Sequence, residues 1–344
     1  MKKVKRWVKI VIAVSLALML LLSSGVIFYL SKLNLIQFSN GKFKWNGSPD
    51  MSDSETIEED RRMDEAIAGL EERDAIEATG EIYKDKRILN ILLIGTDERT
   101  EDFSENARGD SCMIMSVGKK DGSLKLASLE RGMGVPILDG KYKGQYDWLT
   151  HTFRYGGADL MMREVRECFK VDVERYIRVN FTTFKKGIDS VGGIDITLTA
   201  AEAAYVNTGT KRKIYTAGEN HLDSTAALVY ARCRHIDSDW HRIERQRNVI
   251  QAVVTKTKDL SVGELNDLLN NVLPLVQTNL TRLEITELLL SAPKYRGVQI
   301  KQTTIPISGS YGGMRGLGGR SLFSVDFDTN AKALREFIYG VTEN

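Results

Sequence analysis

Residues Ile88 to Gly95 read ILNILLIG, apolar at nearly every position and closed by a glycine. Successive side chains of a strand point to opposite faces of its sheet, so a run of this kind has to be buried on both faces. That requirement predicts a sheet with packed layers on each side. Cys112 to Val117 and Leu124 to Leu129 read as further strands, with Lys119 to Gly122 as the hairpin turn between them. Tyr176 to Phe181, Ile194 to Thr199 and Val298 to Pro306 are three more candidate strands.

Between the strands the apolar period changes. Gly157 to Phe169 carries Met161, Met162, Val165, Cys168 and Phe169 at helical spacing. Phe184, Ile188 and Val191 form the stripe of a second helix that stops at Gly192 and Gly193. Asp223 to Tyr230, Arg242 to Lys258 and Asn330 to Tyr339 also read as helices. Ser261 with Glu264 and Thr281 with Glu284 match the capping box just before leucine-rich runs. Strands interleaved with helices predict an α/β fold, a three-layer α-β-α arrangement with a central mixed sheet. There is no internal repeat.

Ile10 to Leu30 is apolar for about 21 residues, enough to cross a bilayer as a helix. Lys2, Lys3, Lys5, Arg6 and Lys9 precede it. The pattern predicts a cytoplasmic tail over residues 1–9, an uncleaved transmembrane helix over 10–30 and a single-pass membrane protein whose bulk lies outside the cell. Residues 31–85 read as a stalk and acidic spacer. Within them Met63, Ile67 and Leu70 share a helical spacing, so a short amphipathic helix resting on the domain and a solvated spacer are both open. The folded core begins near Lys86 and runs to residue 256, and residues 257–344 form an extension that completes or flanks it.

The formal net charge is +2, and the five basic residues of the tail leave −3 on everything after it. No basic footprint remains, which excludes nucleic acid as a partner. Cys112, Cys168 and Cys233 have neither metal-ligand spacing nor a disulfide framework; Cys112 and Cys168 read as small core hydrophobes.

Against that near-neutral background, Arg232 to Arg247 reads RCRHIDSDWHRIERQR, with five arginines. A guanidinium is always charged and matches phosphate oxygens two at a time, so the cluster fits a multiply charged phosphate group. Asp237, Asp239 and Glu244 lie among the arginines, and surface ion pairing is the competing reading. Three short stretches fall at strand ends, where α/β sheets gather ligands. They are GTDERT with Asp97, the Arg108-Gly-Asp110 triplet, and Glu130-Arg131. Asp97 and Asp110 are hard oxygen ligands of the kind Mg²⁺ accepts, and aspartates of this placement also serve as turn or cap residues.

NILLIGTDER, the R-x-D pair at Arg108 and Asp110, Ser128-x-x-Arg131, THTFRYGG, VNFTTFKKGIDSVGGIDI, AGENHLDSTAALVYARCRH and DWHRIERQR follow one another in order. In that order and spacing the chain resembles the LytR–CpsA–Psr family over about Ile88 to Lys256. The resemblance implies a phosphotransferase of the Gram-positive cell envelope. Such an enzyme moves a glycopolymer phosphate, as in teichoic acid or capsule attachment, from a polyprenyl-pyrophosphate carrier to peptidoglycan. It implies Mg²⁺ (or Mn²⁺) on Asp97 and Asp110, with Asp97, Asp110 and Arg131 catalytic. It assigns the pyrophosphate to Arg108, Arg131, Arg232, Arg234, Arg242 and Gln246. Arg242 and Gln246 are four apart and share a helix face. It also implies an apolar tunnel for the lipid, expected to be lined by Met161, Val165, Phe169, Phe184, Ile188 and Val191, which as single residues also read as core.

The chain departs from the family where an aspartate usually follows the third-motif arginine: Gly132 stands there. Glu130, before Arg131, is a candidate replacement. The family's K-I-N-H-A-Y becomes Trp148-Leu-Thr-His-Thr-Phe153, which keeps His151. A lipid-pyrophosphate hydrolase using the same site, and a non-catalytic polyprenyl-phosphate-binding envelope regulator, are the alternatives to transfer. His235 and His241 have no ligand spacing. GSYGGMRGLGG, from Gly309 to Gly319, lacks the lysine and hydroxyl of a phosphate loop and reads as a flexible surface loop.

Overall fold

The structure, a computed structural model, describes residues 31–43, 54–98, 103–104, 107–233 and 236–341. The predicted tail and transmembrane helix lie outside these residues. Among the described residues, no helix is long and apolar enough to cross a membrane.

In chain order the elements are β1 (Gln37–Phe38), α1 (Ser54–Ala68), β2 (Ile88–Gly95), β3 (Ser111–Gly118), β4 (Leu124–Leu129), β5 (Gly134–Pro136), β6 (Tyr146–Trp148) and α2 (Leu149–Phe169). Then come β7 (Arg175–Val179), α3 (Phe181–Ser190), β8 (Ile194–Leu198), α4 (Ala200–Thr210), β9 (Gly218–Leu222), α5 (Ser224–Ala231) and α6 (Asp239–Lys256). The remainder is α7 (Val262–Val272), β10 (Gln277–Thr278), α8 (Arg282–Ser291), β11 (Lys301–Ile305), β12 (Tyr311–Arg315), β13 (Ser321–Val325) and α9 (Phe327–Tyr339).

The central sheet is mixed, in the order β1-β10-β7-β2-β3-β4-β11. β2 runs antiparallel to β3 and parallel to β7; β4 runs antiparallel to β3 and parallel to β11. Helices cover both faces. Leu92, Ile94, Ile114 and Leu129 point into a core shared with Met161, Val165 and Phe169 of α2 and Leu334 and Ile338 of α9. Ile91, Met113 and Leu126 point the other way, toward Ile250 and Val254 of α6 and Ile285 of α8. The apolar run of β2 is thus used on both sides, as a doubly covered strand requires.

Ile194 to Leu198 pairs with β9 in a separate two-stranded sheet and does not join the central one. Its residues alternate buried and exposed, with Asp195 and Thr197 facing out. A strand polar on one face cannot occupy the middle of a sheet covered on both. This strand pair, α3, α4 and α5 enclose a second core around Ile194, Ile196, Val206, Leu222 and Tyr230.

Three expectations are corrected outside the sheet. Residues 54–76 are not a solvated spacer, because α1 lies on the domain with Ile67 fully buried and Met63 nearly so, against Trp148 and Leu322. The chain after α1 bonds edgewise to β12, with Gly313 N donating to Glu71 O at 2.8 Å and Arg73 N to Gly313 O at 2.9 Å. Gly309 to Gly319 is accordingly not a loop: β12 pairs with β13 in register from Tyr311–Val325 to Arg315–Ser321. Its glycines admit the neighbouring chain, since a Cβ on Gly312 would stand 2.8 Å from Glu71 O. The α2 helix starts eight residues before Gly157, at Leu149, and bends at Gly156 and Gly157. Gly157 has φ +73°, and a Cβ there would meet Gly41 O at 2.2 Å. The early start carries Thr150 and His151 to the end of the sheet where β2 stops.

Leu92 is fully buried at the centre of β2. Leu92→Ala should lower stability by about 2–5 kcal/mol, read from the shift of the denaturant midpoint.

Candidate active site

Sheet register explains why residues far apart in sequence meet. β2 ends where β3 begins, with Gly95 opposite Ser111, and β4 ends opposite Cys112. The segments after β2, before β3 and after β4 therefore share one end of the sheet. They carry Asp97, Arg108 with Asp110, and Glu130 with Arg131. The first turns of α2 and α6 close on the same place, and so does α1.

Arg108 and Arg131 are the centre of the cluster, with side chains 1% and 2% exposed. Arg108 Nη2 donates to Asp110 Oδ1 at 3.2 Å, and Arg131 Nη1 donates to the same oxygen at 3.3 Å. Thr150 Oγ1 donates to it as well, at 3.3 Å. Asp60 of α1 accepts both ends of the Arg108 fork, Nη1 at 2.8 Å and Nη2 at 2.9 Å. Asp239 accepts from Arg242 Nη2 at 2.6 Å and lies 3.7 Å from Arg131 Nε. The Arg108 backbone N–H donates to Asp97 Oδ1 at 3.2 Å.

The acids respond to this crowding. Burial, then the charge of Asp110, push the Asp97 carboxyl up to about 6. Glu130 is fully buried; burial and then the adjacent Asp239 carboxylate raise it well above the usual carboxylate range. The site thus sets three buried arginines, Arg108, Arg131 and Arg242, among carboxylates from several elements. Asp97 and Asp110 are the pair whose mutual repulsion a bound cation would relieve. Among the described residues no group of three or more His, Cys, Asp or Glu is placed to hold a metal ion.

Beside the cluster an apolar cavity of about 250 Å³ opens. Leu93, Met113 and Ile177 form its floor, Phe184, Leu228 and Ile250 its walls, and Asp110, Arg232 and Gln246 its polar end. Of the six residues expected to line a tunnel, Phe184 alone does so. Met161, Val165 and Phe169 pack under the opposite face of the sheet, and Ile188 and Val191 fill the second core. Helical spacing marks a buried stripe without saying which face of the sheet the helix covers.

The arginine segment divides in two. Arg232 lies 5.0 Å over the Phe181 ring at the mouth of the cavity, Gln246 accepts from Ser111 Oγ at 2.9 Å, and Arg242 belongs to the cluster. Arg245 and Arg247 are structural. Arg245 binds Glu202 at 2.7 Å, Cys233 O at 2.9 Å and Asp237 at 3.0 Å, and Arg247 binds Gln302 and Thr304 of β11. Arg234 and His235 lie outside the described residues. His151 is buried, with Nδ1 3.0 Å from Asp147, which also accepts from Tyr155 and Arg320. Cys112, Cys168 and Cys233 are free and buried.

Sequence reasoning did not single out Asp60, Thr150 or Asp239 as site residues. Asp60 has a visible signal, since it stands three and seven residues before the buried Met63 and Ile67 and shares their helix face.

The LytR_cpsA_psr family model matches residues 51–335. The chain belongs to that family. It is 33% identical over 207 residues to the Bacillus mycoides polyisoprenyl-teichoic acid–peptidoglycan teichoic acid transferase TagU, a match covering 59% of this chain and 64% of that relative's length. It is 34% identical over 241 residues to TagU of Oceanobacillus iheyensis, covering 67% and 69%. Among solved structures, YwtF (TagT) with bound octaprenyl pyrophosphate lipid aligns with a TM-score of 0.55 at 22% identity, over 78% of this chain and 98% of that one. Protein gbs0355 from Streptococcus agalactiae aligns at 0.62 and 23%, over 75% and 90%. At that identity these structures establish the shared fold.

The division of the arginines has a measurable consequence. Arg245→Ala leaves Glu202 and Asp237 without their buried partner and should cost about 3–5 kcal/mol. Arg232→Ala, at the cavity mouth over the Phe181 ring, should cost less than Arg245→Ala. Denaturant unfolding of the two variants checks this.

Proposed function

We propose that this protein transfers a glycopolymer, with its linking phosphate, from a polyprenyl-diphosphate carrier to peptidoglycan outside the cell. The observation that carries this reading is the apolar cavity ending at Asp110, Arg232 and Gln246, next to buried Arg108, Arg131 and Arg242. An isoprenoid diphosphate needs that combination: a greasy channel with guanidinium groups at its end. The names of the TagU relatives support the same substrate and acceptor classes. On this reading the apolar run Ile10 to Leu30 anchors the chain as a single-pass protein, and the folded domain stands outside.

Phosphoryl transfer asks a protein mainly to position the reactants and to neutralise charge. Arg232 and Gln246 meet the diphosphate at the cavity mouth. Arg131, with Arg108 and Arg242 behind it, stabilises charge on the transferred phosphoryl group and on the departing polyprenyl phosphate. The acceptor hydroxyl attacks the sugar-linked phosphorus as the bond to the bridging oxygen breaks. Asp97 and Asp110 are hard oxygen donors that fit Mg²⁺ or Mn²⁺, which when bound offsets the negative charge of the diphosphate. Gly132 brings no carboxylate of its own. Glu130 is fully buried and its carboxyl is raised well above the usual carboxylate range by burial and by Asp239.

The test is the full chain in detergent with a polyprenyl-diphosphate-linked glycan, with and without peptidoglycan. Transfer to the acceptor is expected, and Arg131→Ala and Asp97→Ala should each reduce it by at least about 100-fold. Phosphate release that ignores the acceptor would replace transfer with hydrolysis. A second expectation concerns pH. With Asp97 near 6, protons compete with the cation, so Mg²⁺ affinity should fall as the pH drops through about 6. Calorimetric titration should show that fall in the parent, and Asp97→Asn should flatten it.

A further inference from the structure

We propose that α1 is a displaceable anionic plug: Asp60 occupies the guanidinium positions that a diphosphate must take, and α1 lifts to admit it. This rests on the functional reading above and adds to it a gate that belongs to the chain itself. Asp60 grips Arg108 through two parallel N–H···O bonds, at 2.8 and 2.9 Å, the same fork that a guanidinium offers a phosphate. It also stands 3.8 Å from Arg131 Nη1. The exposures give the order of the layers. The Arg108 and Arg131 side chains are 1% and 2% exposed, while that of Asp60 is 20% exposed. With α1 seated, both Nη atoms of Arg108 are taken by Asp60 and Asp110, and a diphosphate would meet Asp60 before it met either arginine.

α1 is held on the domain by one narrow face. Besides the Asp60 bonds, its inward contacts include Met63 and Ile67 on Trp148, Leu322 and Phe323, and Asp64 Oδ1 accepting from Ser321 N at 2.6 Å. Its outer face carries the exposed pairs of Glu58 with Arg61 and Arg62, and Ile57 is 61% exposed. The helix ends at Ala68, and the strap from Glu71 to Arg73 is bonded to β12, so α1 can swing while the strap stays. Gly132 makes the seat possible. A Cβ at that position, directly after Arg131, would stand 3.0 Å from Met63 Sδ and 3.3 Å from Ile67 Cδ1. A longer side chain there would push into α1. The position that lacks a carboxylate is therefore the one against which the carboxylate-bearing helix packs.

Two probes test this on the full chain in detergent: inorganic pyrophosphate and farnesyl diphosphate. If the seated state dominates, apparent affinity is reduced by the fraction of open molecules, so Asp60→Asn should bind both probes about tenfold tighter or more. Asp64→Ala, which loosens α1 without touching the arginines, should move affinity the same way by less. In the unaltered protein either probe should speed hydrogen exchange over residues 54–68. Tighter binding of farnesyl diphosphate would assign the opened site to a lipid-borne diphosphate, and equal binding to a free one; the plug stands in both cases. Unchanged or weaker binding by Asp60→Asn overturns it. So does slower exchange in α1 when a probe is bound, which would make Asp60 part of the liganded site and leave the functional reading intact. No binding of either probe by any variant would overturn that reading and the plug together.

Discussion

Two guanidinium groups with almost no contact with water govern this structure. An uncompensated buried charge costs several kcal/mol, so Arg108 and Arg131 can sit at the end of the sheet only if carboxylates are brought to them. Asp110 comes from the start of β3, Asp239 from the first turn of α6 and Asp60 from α1. Each also sets where its own element can lie. The register of β2, β3 and β4 puts the strand ends side by side, and the charges then fix which helices meet there. The carboxylates thereby hold both guanidinium groups charged in a place with almost no contact with water.

The sheet keeps its two faces for different uses. On one, Leu92 and Ile94 pack against α2 and α9 in a closed core. On the other, Leu93, Met113 and Ile177 leave a cavity beneath α3, α5 and α6. Residues one apart in the same strand thus face a closed core and an open cavity separately. This explains how Phe184 reaches the cavity while Met161, equally apolar and equally regular in spacing, does not.

Much of this was legible in the sequence. The strands Ile88–Gly95 and Leu124–Leu129 end at the predicted residues, and the capping boxes at Ser261 and Thr281 form as their spacing requires. These features are local, set by alternation of side chains or by a three-residue hydrogen-bond geometry. Asp97, Arg108, Asp110, Arg131 and Arg242 were picked out by motif, and the fold gathers them at one end of the sheet. What stayed hidden depends on contacts distant in sequence. The glycines of Gly309 to Gly319 look like slack until Glu71 and Arg73 lie against them. Arg245 and Arg247 look like Arg242 in the sequence, and only the positions of Glu202, Asp237 and Gln302 tell them apart. Asp60 belongs to a segment whose composition resembles a spacer, and its role appears once Ile67 is seated.

The entry of the chain into the domain carries one more consequence. Lys32 hydrogen-bonds to Asn266 and Asn270 of α7, and Leu33 is 2% exposed among Leu280, Ile285 and their neighbours. Leu33 follows the end of the apolar run by three residues, a span of at most about 10 Å. A run held in lipid up to Leu30 would therefore leave the domain no tether. The packing of Lys32 and Leu33 would then fix how far from the end of that run the domain begins.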